Sequence, residues 1–149
     1  MNPPPNTQTT DLALASRLRL AITRTARRLR QEADAHLTPS QVAALATIET
    51  RGPLTPSELA DIERIQRPTA TRVAGHLTER GLVQRAGDPG DGRVSMLSIT
   101  DEGHALLEEV RSRKNAYLAD RMSDLGDEDR AALERAADLL EHMLEDKPR

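Results

Sequence analysis

The sequence predicts a mainly α-helical protein of the α+β class, with one small β-hairpin near its middle. Apolar residues recur every three or four positions along most of the 149 residues, which is the period of amphipathic helices. Thr-Pro pairs at residues 38–39 and 55–56 mark two helix starts. A stretch rich in Gly and Asp, residues 86–93, separates two short apolar runs, as the loop of a hairpin does.

The segment from Thr55 to Thr100 predicts two helices followed by the hairpin. Thr55 caps the first helix, with Pro56 at its first position and Glu58 placed to complete a capping box. This helix has only about two turns, so it requires a neighbour to be stable. The second helix is predicted to run from Pro68 to Arg80. The residues predicted to face inward are Leu59, Ala60 and Ile62 on the first helix and Ala70, Val73, Ala74 and Leu77 on the second.

The order of these elements is that of a winged helix-turn-helix, in which the hairpin is the wing. Gly81 is predicted to end the second helix, a first strand follows at residues 82–84, and residues 94–99 form the returning strand. Arg93, with Arg85 across the ladder, is placed to contact a phosphate or the minor groove of DNA. Asp91 is predicted to hold the Arg93 guanidinium in a bidentate pair.

The exposed face of the second helix suits the major groove of a DNA duplex. Its small side chains allow close approach, and Arg72 can donate two hydrogen bonds to guanine. Thr69 and Thr71 can contact phosphates, as can Arg67, which is predicted to lie just before the helix. The outer face as a whole is formed by Pro68, Thr71, Arg72 and Gly75.

The two ends of the chain predict further helices and a dimer. Residues 1–10 are polar and Pro-rich and are expected to form a flexible arm. Residues 11–36 and 101–146 are expected to be dimerisation helices, because they carry more apolar surface than the central lobe, residues 37–100, can cover. Asp127 is predicted to cap the last helix.

Composition narrows the class of partner. The net charge is −3, but residues 62–100 hold six Arg against four acidic residues, so the lobe is the more basic part. Phe and Trp are absent and Tyr117 is the one Tyr, which disfavours single-strand binding by base stacking. The absence of Cys excludes disulfides and thiolate metal sites. Without an apolar run of 18 residues or a signal peptide, the chain is expected to be cytoplasmic, with no membrane partner.

No residue pattern predicts an enzyme, a metal or a cofactor. The four His residues lack the spacing of metal ligands, and neither a Ser–His–acid set nor a catalytic carboxylate pair stands out. A small-molecule pocket is expected between the dimerisation helices and the lobe. The candidates for binding an anionic ligand there, chosen by position alone, are Arg24, Arg27 and His36.

Three segments of the sequence resemble the MarR family of winged-helix transcriptional regulators: QRPTATRVAGHLTERGLVQR, GDPGDGRVSMLSIT and TDEGHAL. The resemblance extends from about Asp11 to Leu144. It implies a homodimer with intertwined terminal helices, two recognition helices in successive major grooves of a pseudo-palindrome, and wing arginines in the flanking minor grooves. Many members of this family repress transcription and release DNA when a small phenolic or anionic molecule binds.

The sequence therefore predicts a homodimeric, sequence-specific DNA-binding regulator, a repressor with a small-molecule effector. Two alternatives stay open at this point. One is a winged-helix adaptor that binds proteins instead of DNA, although the exposed Arg72 and Arg93 argue against it. The other is an architectural regulator that has no ligand.

Overall fold

The computed structural model describes residues 7–33, 35–87, 90–93 and 95–145. Within these ranges the chain forms six helices and one antiparallel hairpin, which confirms the predicted fold class. Residues 1–6 of the predicted arm and Val94 of the returning strand lie outside the described residues. The elements are α1 (Thr7–Glu32), α2 (Pro39–Arg51), α3 (Pro56–Glu63), α4 (Arg67–Glu79), β1 (Val83–Gly87), β2 (Ser95–Ile99), α5 (Asp101–Met122) and α6 (Asp127–Leu144).

The chain divides into two compact units, one that reaches Lys114 and one that starts at Asn115. The first unit contains the main core, which lies between α2, α3, α4 and the hairpin. In the second unit, by contrast, α6 contains no buried residue. The largest fully buried side chains belong to Leu45, Ile48, Leu59, Leu77, Val83 and Leu97.

Capping boxes fix the starts of α2 and α3. Thr55 Oγ1 accepts the Glu58 N–H at 3.1 Å, and Glu58 Oε2 accepts the Thr55 N–H at 2.7 Å, which confirms the predicted box. Hydrogen bonding of the Glu58 carboxylate to the backbone N–H of Thr55, and to a smaller extent to the Thr55 side chain, lowers the pKa of Glu58. Thr38 and Gln41 form a second box, with distances of 3.3 and 2.8 Å, that the sequence analysis missed. Both helices therefore begin at defined residues.

Helix α2 ends at Arg51, and Gly52 is its C-cap residue. Gly52 has φ −72°, so it is not left-handed. A Cβ at this position would lie 2.4 Å from the Ile48 carbonyl oxygen, and only glycine fits there. The chain then reaches Leu54, which exchanges two backbone hydrogen bonds with Leu97 of β2, at 3.1 and 2.7 Å. The hairpin thus packs against a third short extended segment.

The starts of α4 and α6 and the inward face of α3 differ from the predictions. Arg67 is the first residue of α4 and Pro68 the second, because Gln66 is the N-cap. Asp127 is not the cap of α6, because Gly126 holds that position. Ile62 is 42% exposed, so its predicted inward position was wrong. The left-handed Gly81 after α4, with φ 71°, is confirmed.

A charged cluster joins α2 to the first half of α5. The Glu49 carboxylate, 13% exposed, forms an ion pair with the Arg111 guanidinium, and its Oε1 lies 2.9 Å from His104 Nδ1. Arg111 Nη1 also donates to Glu108 Oε1 at 2.7 Å. The hydrogen bond from Arg111, with a smaller contribution from His104, lowers the pKa of Glu49. The cluster therefore stabilises the fold when Glu49 is ionised.

We expect Glu49→Gln to lower the free energy of unfolding at pH 7 by about 1 kcal/mol, because Arg111 is partly exposed and solvent weakens the pair. A folded-state pKa below the usual value stabilises the protein above that value, and this contribution is lost as the pH falls through the folded pKa. The difference between variant and wild type should therefore shrink as the pH falls below 4.5. Urea titrations at several pH values measure it. Glu108→Gln, at an exposed carboxylate, is the control and should change little.

Candidate nucleic-acid interface

Helix α4 has two chemically different faces. Its inner face is buried in the lobe core, as predicted, through Ala70, Val73, Ala74 and Leu77. Its outer face exposes Pro68, Thr71 and Arg72, while Gly75 is partly exposed. This outer face is small and carries one cationic side chain, which suits entry into a major groove.

The turn between α3 and α4 leaves the start of α4 open. Arg64 ends α3 in the left-handed conformation, with φ 53° and ψ 44°. Gln66, the N-cap of α4, makes no side-chain capping hydrogen bond. Backbone N–H groups in the first turn are therefore not engaged by a capping side chain and can donate to phosphate oxygens.

Two of the predicted contact residues lie in a depression between α2 and α4. Thr69 and Arg72 line this depression, whose volume is about 450 Å³. Thr69 is partly buried on this side, so it is less accessible than Thr71. The depression also contains polar residues that the sequence analysis did not select: Thr38, Ser40, Gln41 and His76. His76 is four positions after Arg72, so helical spacing alone could have identified it.

The wing differs from the prediction in two respects. Arg85 pairs with Leu97 across the ladder, so it is not opposite Arg93. The reason is the register, in which the last pair is Gly87 with Ser95 and Arg93 belongs to the loop beyond it. Asp91 Oδ1 accepts the backbone N–H of Arg93 at 3.0 Å, so Asp91 orders the loop through the main chain and not through the guanidinium.

The surface of the lobe combines these elements with positive charge. Six arginines lie between residues 62 and 100, and all of them are exposed. Exposed guanidinium groups can neutralise phosphates and release counterions, which favours binding to a duplex. They are Arg64, Arg67, Arg72, Arg80, Arg85 and Arg93.

A cleft of about 810 Å³ lies between α1, the start of α2 and the first half of α5. Arg27 lines it, as predicted. Arg24 and His36 do not, because Arg24 is exposed elsewhere on α1 and the connection presents Ala35 and Leu37 to the cleft. The other cationic residues of the lining are Arg30 and Lys114, and no acidic residue contributes to it among the described residues.

A model of the MarR family matches residues 37–95 of this chain. A protein of Mycobacterium bovis named as an HTH-type transcriptional regulator is 37% identical over 139 residues, which are 93% of this chain and 97% of that protein. The chain belongs to the MarR family. It is thus a DNA-binding transcriptional regulator with a winged helix-turn-helix, and the family is not one of enzymes.

Two other transcriptional regulators extend the similarity. The solved structure of a Pseudomonas aeruginosa protein described as a transcriptional regulator matches with a TM-score of 0.83 at 33% identity, over 96% of this chain and all of that one. The Bacillus subtilis transcriptional repressor MdtR is 34% identical over 93 residues, which are 62% of this chain and 60% of MdtR. The similarity of the Pseudomonas structure covers the terminal helices as well as the lobe.

Two further features bear on the partners of this MarR-family chain. No helix in the described part of the chain is long and apolar enough to cross a bilayer. Among those same residues, no three His, Asp or Glu side chains form a group that could hold a metal ion.

We expect Gly75→Ala to stabilise the free protein and to weaken its binding to DNA. Glycine inside a helix costs roughly 1 kcal/mol relative to alanine, and a Cβ at residue 75 would meet no atom within 4 Å. The same methyl group would stand between the outer face of α4 and the floor of the groove. Thermal unfolding and a fluorescence-anisotropy titration with operator DNA measure the two effects. An unchanged affinity would show that residue 75 does not approach the duplex.

Proposed function

We propose that this MarR-family chain is a homodimeric, cytoplasmic repressor that binds a pseudo-palindromic DNA site and is released by an amphipathic anion. In this proposal residues 11–36 and 101–146 form the dimer and residues 37–100 bind DNA, while residues 7–10 of the predicted arm belong to α1. The main support for the proposal is the arrangement of α4. Its inner face is buried, and its outer face is exposed and can enter the major groove of a duplex. The relative MdtR is named as a repressor, which supports repression of transcription by this chain.

The contacts proposed for DNA come from α4 and the wing. Arg72 contacts base edges, while Arg67, Thr69 and Thr71 contact phosphates near the open start of the helix. Gly75 and Pro68 allow close approach. Arg93 and Arg85 contact the backbone or the minor groove from the wing, in a loop that Asp91 orders.

The terminal helices support the homodimer. Large apolar side chains are exposed on both of them, and α6 buries no residue within one chain. Exposed apolar surface of this extent marks an interaction site, and a second copy of the chain provides the same surface. The most exposed of these side chains are Leu12, Leu14 and Ile22 on α1 and Leu133, Leu139, Met143 and Leu144 on α6.

We test the dimer with Leu139→Glu, which places a charge on a side chain that is 64% exposed in one chain. Sedimentation velocity should give a dimer for the wild type and a monomer for the variant, with operator affinity reduced by at least tenfold. Asp138→Asn, the neighbouring exposed position, is the control and should stay dimeric. A wild-type monomer, or a Leu139→Glu dimer that binds DNA normally, would contradict the proposal.

The lining of the cleft supports an amphipathic anion as the effector. Its apolar wall, which includes Leu29, Leu37, Val42 and Val110, suits an aromatic ring or a short hydrocarbon. The cationic side chains of its lining, Arg27, Arg30 and Lys114, suit a carboxylate or phenolate. A cleft of this composition also argues against the alternative of an architectural regulator without a ligand.

We test this class with benzoate, with neutral benzamide as the matched probe. Benzoate at 100 times its dissociation constant should stabilise the protein by about 2.7 kcal/mol in thermal unfolding, and benzamide should stabilise it less. Arg27→Ala and Lys114→Ala should weaken benzoate binding, whereas Arg24→Ala, outside the cleft, should not. Equal responses to both probes, or an equal effect of Arg24→Ala, would contradict an anion site in the cleft.

A further inference from the structure

The connection between α1 and α2 forms a wall of the cleft and also contributes residues to the hydrophobic core. Ala33 and Ala35 are buried against Val110, and all three residues line the cleft. Leu37, which also lines it, packs both on this small cluster and on the main core that includes Val73, Ala74 and Leu77 of α4. A molecule in the cleft therefore contacts a segment that is already packed towards the recognition helix.

Arg80 links this connection to the end of α4. Its Nη1 donates a hydrogen bond of 2.7 Å to the carbonyl oxygen of His36, which is 44 residues away in the sequence. Arg80 is the C-cap residue of α4, and its backbone N–H donates to the His76 carbonyl at 3.1 Å. The backbone of Arg80 is thus fixed to the helix while its side chain holds the connection.

His36 lies between the two cleft-lining residues Ala35 and Leu37, and its backbone is left-handed, with φ 53°. Movement of either neighbour consequently displaces the His36 carbonyl. A displacement of about 1 Å away from Arg80 would lengthen the 2.7 Å hydrogen bond beyond the range of a good N–H···O contact. His36 thus presents its carbonyl to Arg80 and does not itself line the cleft.

We propose that Arg80 is the positioning residue that couples occupation of the cleft to the placement of the recognition helix. With the cleft empty, Arg80 holds the end of α4 against the connection, in the arrangement that binds DNA. A ligand that shifts Ala35 or Leu37 removes the hydrogen-bond acceptor, and α4 loses this restraint. The inference rests on the proposed function of the cleft as an effector site, and it names the residue that transmits the signal.

A double-mutant cycle tests this coupling without any ligand. Ala43→Trp places an indole at an exposed position of α2 that lines the cleft and so mimics occupation. Arg80→Met keeps the length of the side chain and removes its donors. The readout is the affinity for a duplex that wild-type protein has selected from a random library. We expect Ala43→Trp to weaken binding about tenfold in the wild type and less than twofold in the Arg80→Met background, a coupling within the usual allosteric range.

Equal weakening by Ala43→Trp in both backgrounds would overturn the proposal, as would the absence of any effect of Ala43→Trp in the wild type. Arg51→Met, which removes an exposed guanidinium from α2, is the control background and should keep the full tenfold effect. Arg80→Lys retains a donor and should restore most of the sensitivity to Ala43→Trp. If the lysine variant is as insensitive as Arg80→Met, the hydrogen bond is not the coupling element.

Circular dichroism establishes that each variant is folded, and Arg80→Ala, with the same expected result, replaces Arg80→Met if the latter does not fold. The benzoate experiment tests the effector class independently of the double-mutant cycle. Coupling in the cycle without benzoate binding retains Arg80 and rejects the proposed ligand class. Benzoate binding without coupling in the cycle retains the effector site and rejects Arg80 as its route to α4.

Discussion

Gly103→Ala should lower the free energy of unfolding by about 3 kcal/mol, at the upper end of the cost of overpacking a core. Gly103 is buried in the first turn of α5, and a Cβ there would lie 2.3 Å from the Leu82 carbonyl oxygen and 2.7 Å from Ile99 Cγ1. Backbone atoms cannot move away without disturbing the start of the hairpin. Urea or thermal unfolding measures the loss.

The surroundings of Gly103 leave little room for relaxation. Thr100 Oγ1 accepts the Gly103 N–H at 3.1 Å and donates to the Gly81 carbonyl at 2.6 Å, while the Thr100 N–H donates to the Leu82 carbonyl at 3.1 Å. These bonds hold α5 against the segment that follows α4. Gly75→Ala, another helical glycine but with open space around it, is the control. A Gly103→Ala protein as stable as the wild type would contradict this packing.

Arg72→Ala should relax sequence specificity more than it weakens binding in general. One bidentate contact between arginine and guanine discriminates against other bases by about 1–3 kcal/mol, or roughly 5-fold to 150-fold. Arg72 is exposed on α4, so its removal should leave the unfolding temperature unchanged. Titrations against a panel of duplexes, each with one base pair replaced, identify the position where discrimination is lost.

Arg93→Ala provides the contrasting outcome. Arg93 lies in the wing loop and is expected to contact the DNA backbone or the minor groove. Its loss should therefore weaken binding similarly across the panel of duplexes. It should also reduce the salt dependence of the affinity by about one counterion. Equal weakening of all duplexes by Arg72→Ala would contradict the proposed base contact. A changed preference at one base pair in the centre of a half-site would contradict the proposed role of Arg93.

Local features of the sequence were sufficient for much of the fold. The Thr55 capping box, the buried face of α4 and the left-handed Gly81 each depend on residues within one or two helical turns, and all three predictions are confirmed. The family resemblance rested on the same segment and is confirmed as well. The buried face of α4 in turn defines its outer face, so the candidate DNA-binding surface followed from helical spacing.

Features that depend on distant parts of the chain could not be predicted in this way. The pairing of Leu54 with Leu97 joins segments 43 positions apart, and it is not visible in any local pattern. The register that places Arg85 opposite Leu97 depends on where the wing loop closes. His36 is a candidate ligand contact by position alone, whereas in the structure its carbonyl accepts a hydrogen bond from Arg80.

In the proposed complex, the two α4 helices of one dimer contact two half-sites on the same face of DNA. The most direct test is the affinity for a selected pseudo-palindrome before and after five base pairs are inserted between its half-sites. Half a turn of DNA moves one half-site to the opposite face of the duplex. We therefore expect two chains per duplex on the original site and a loss of at least 100-fold in affinity after the insertion. Unchanged affinity after the five-base-pair insertion, or one chain per duplex, would contradict the claim.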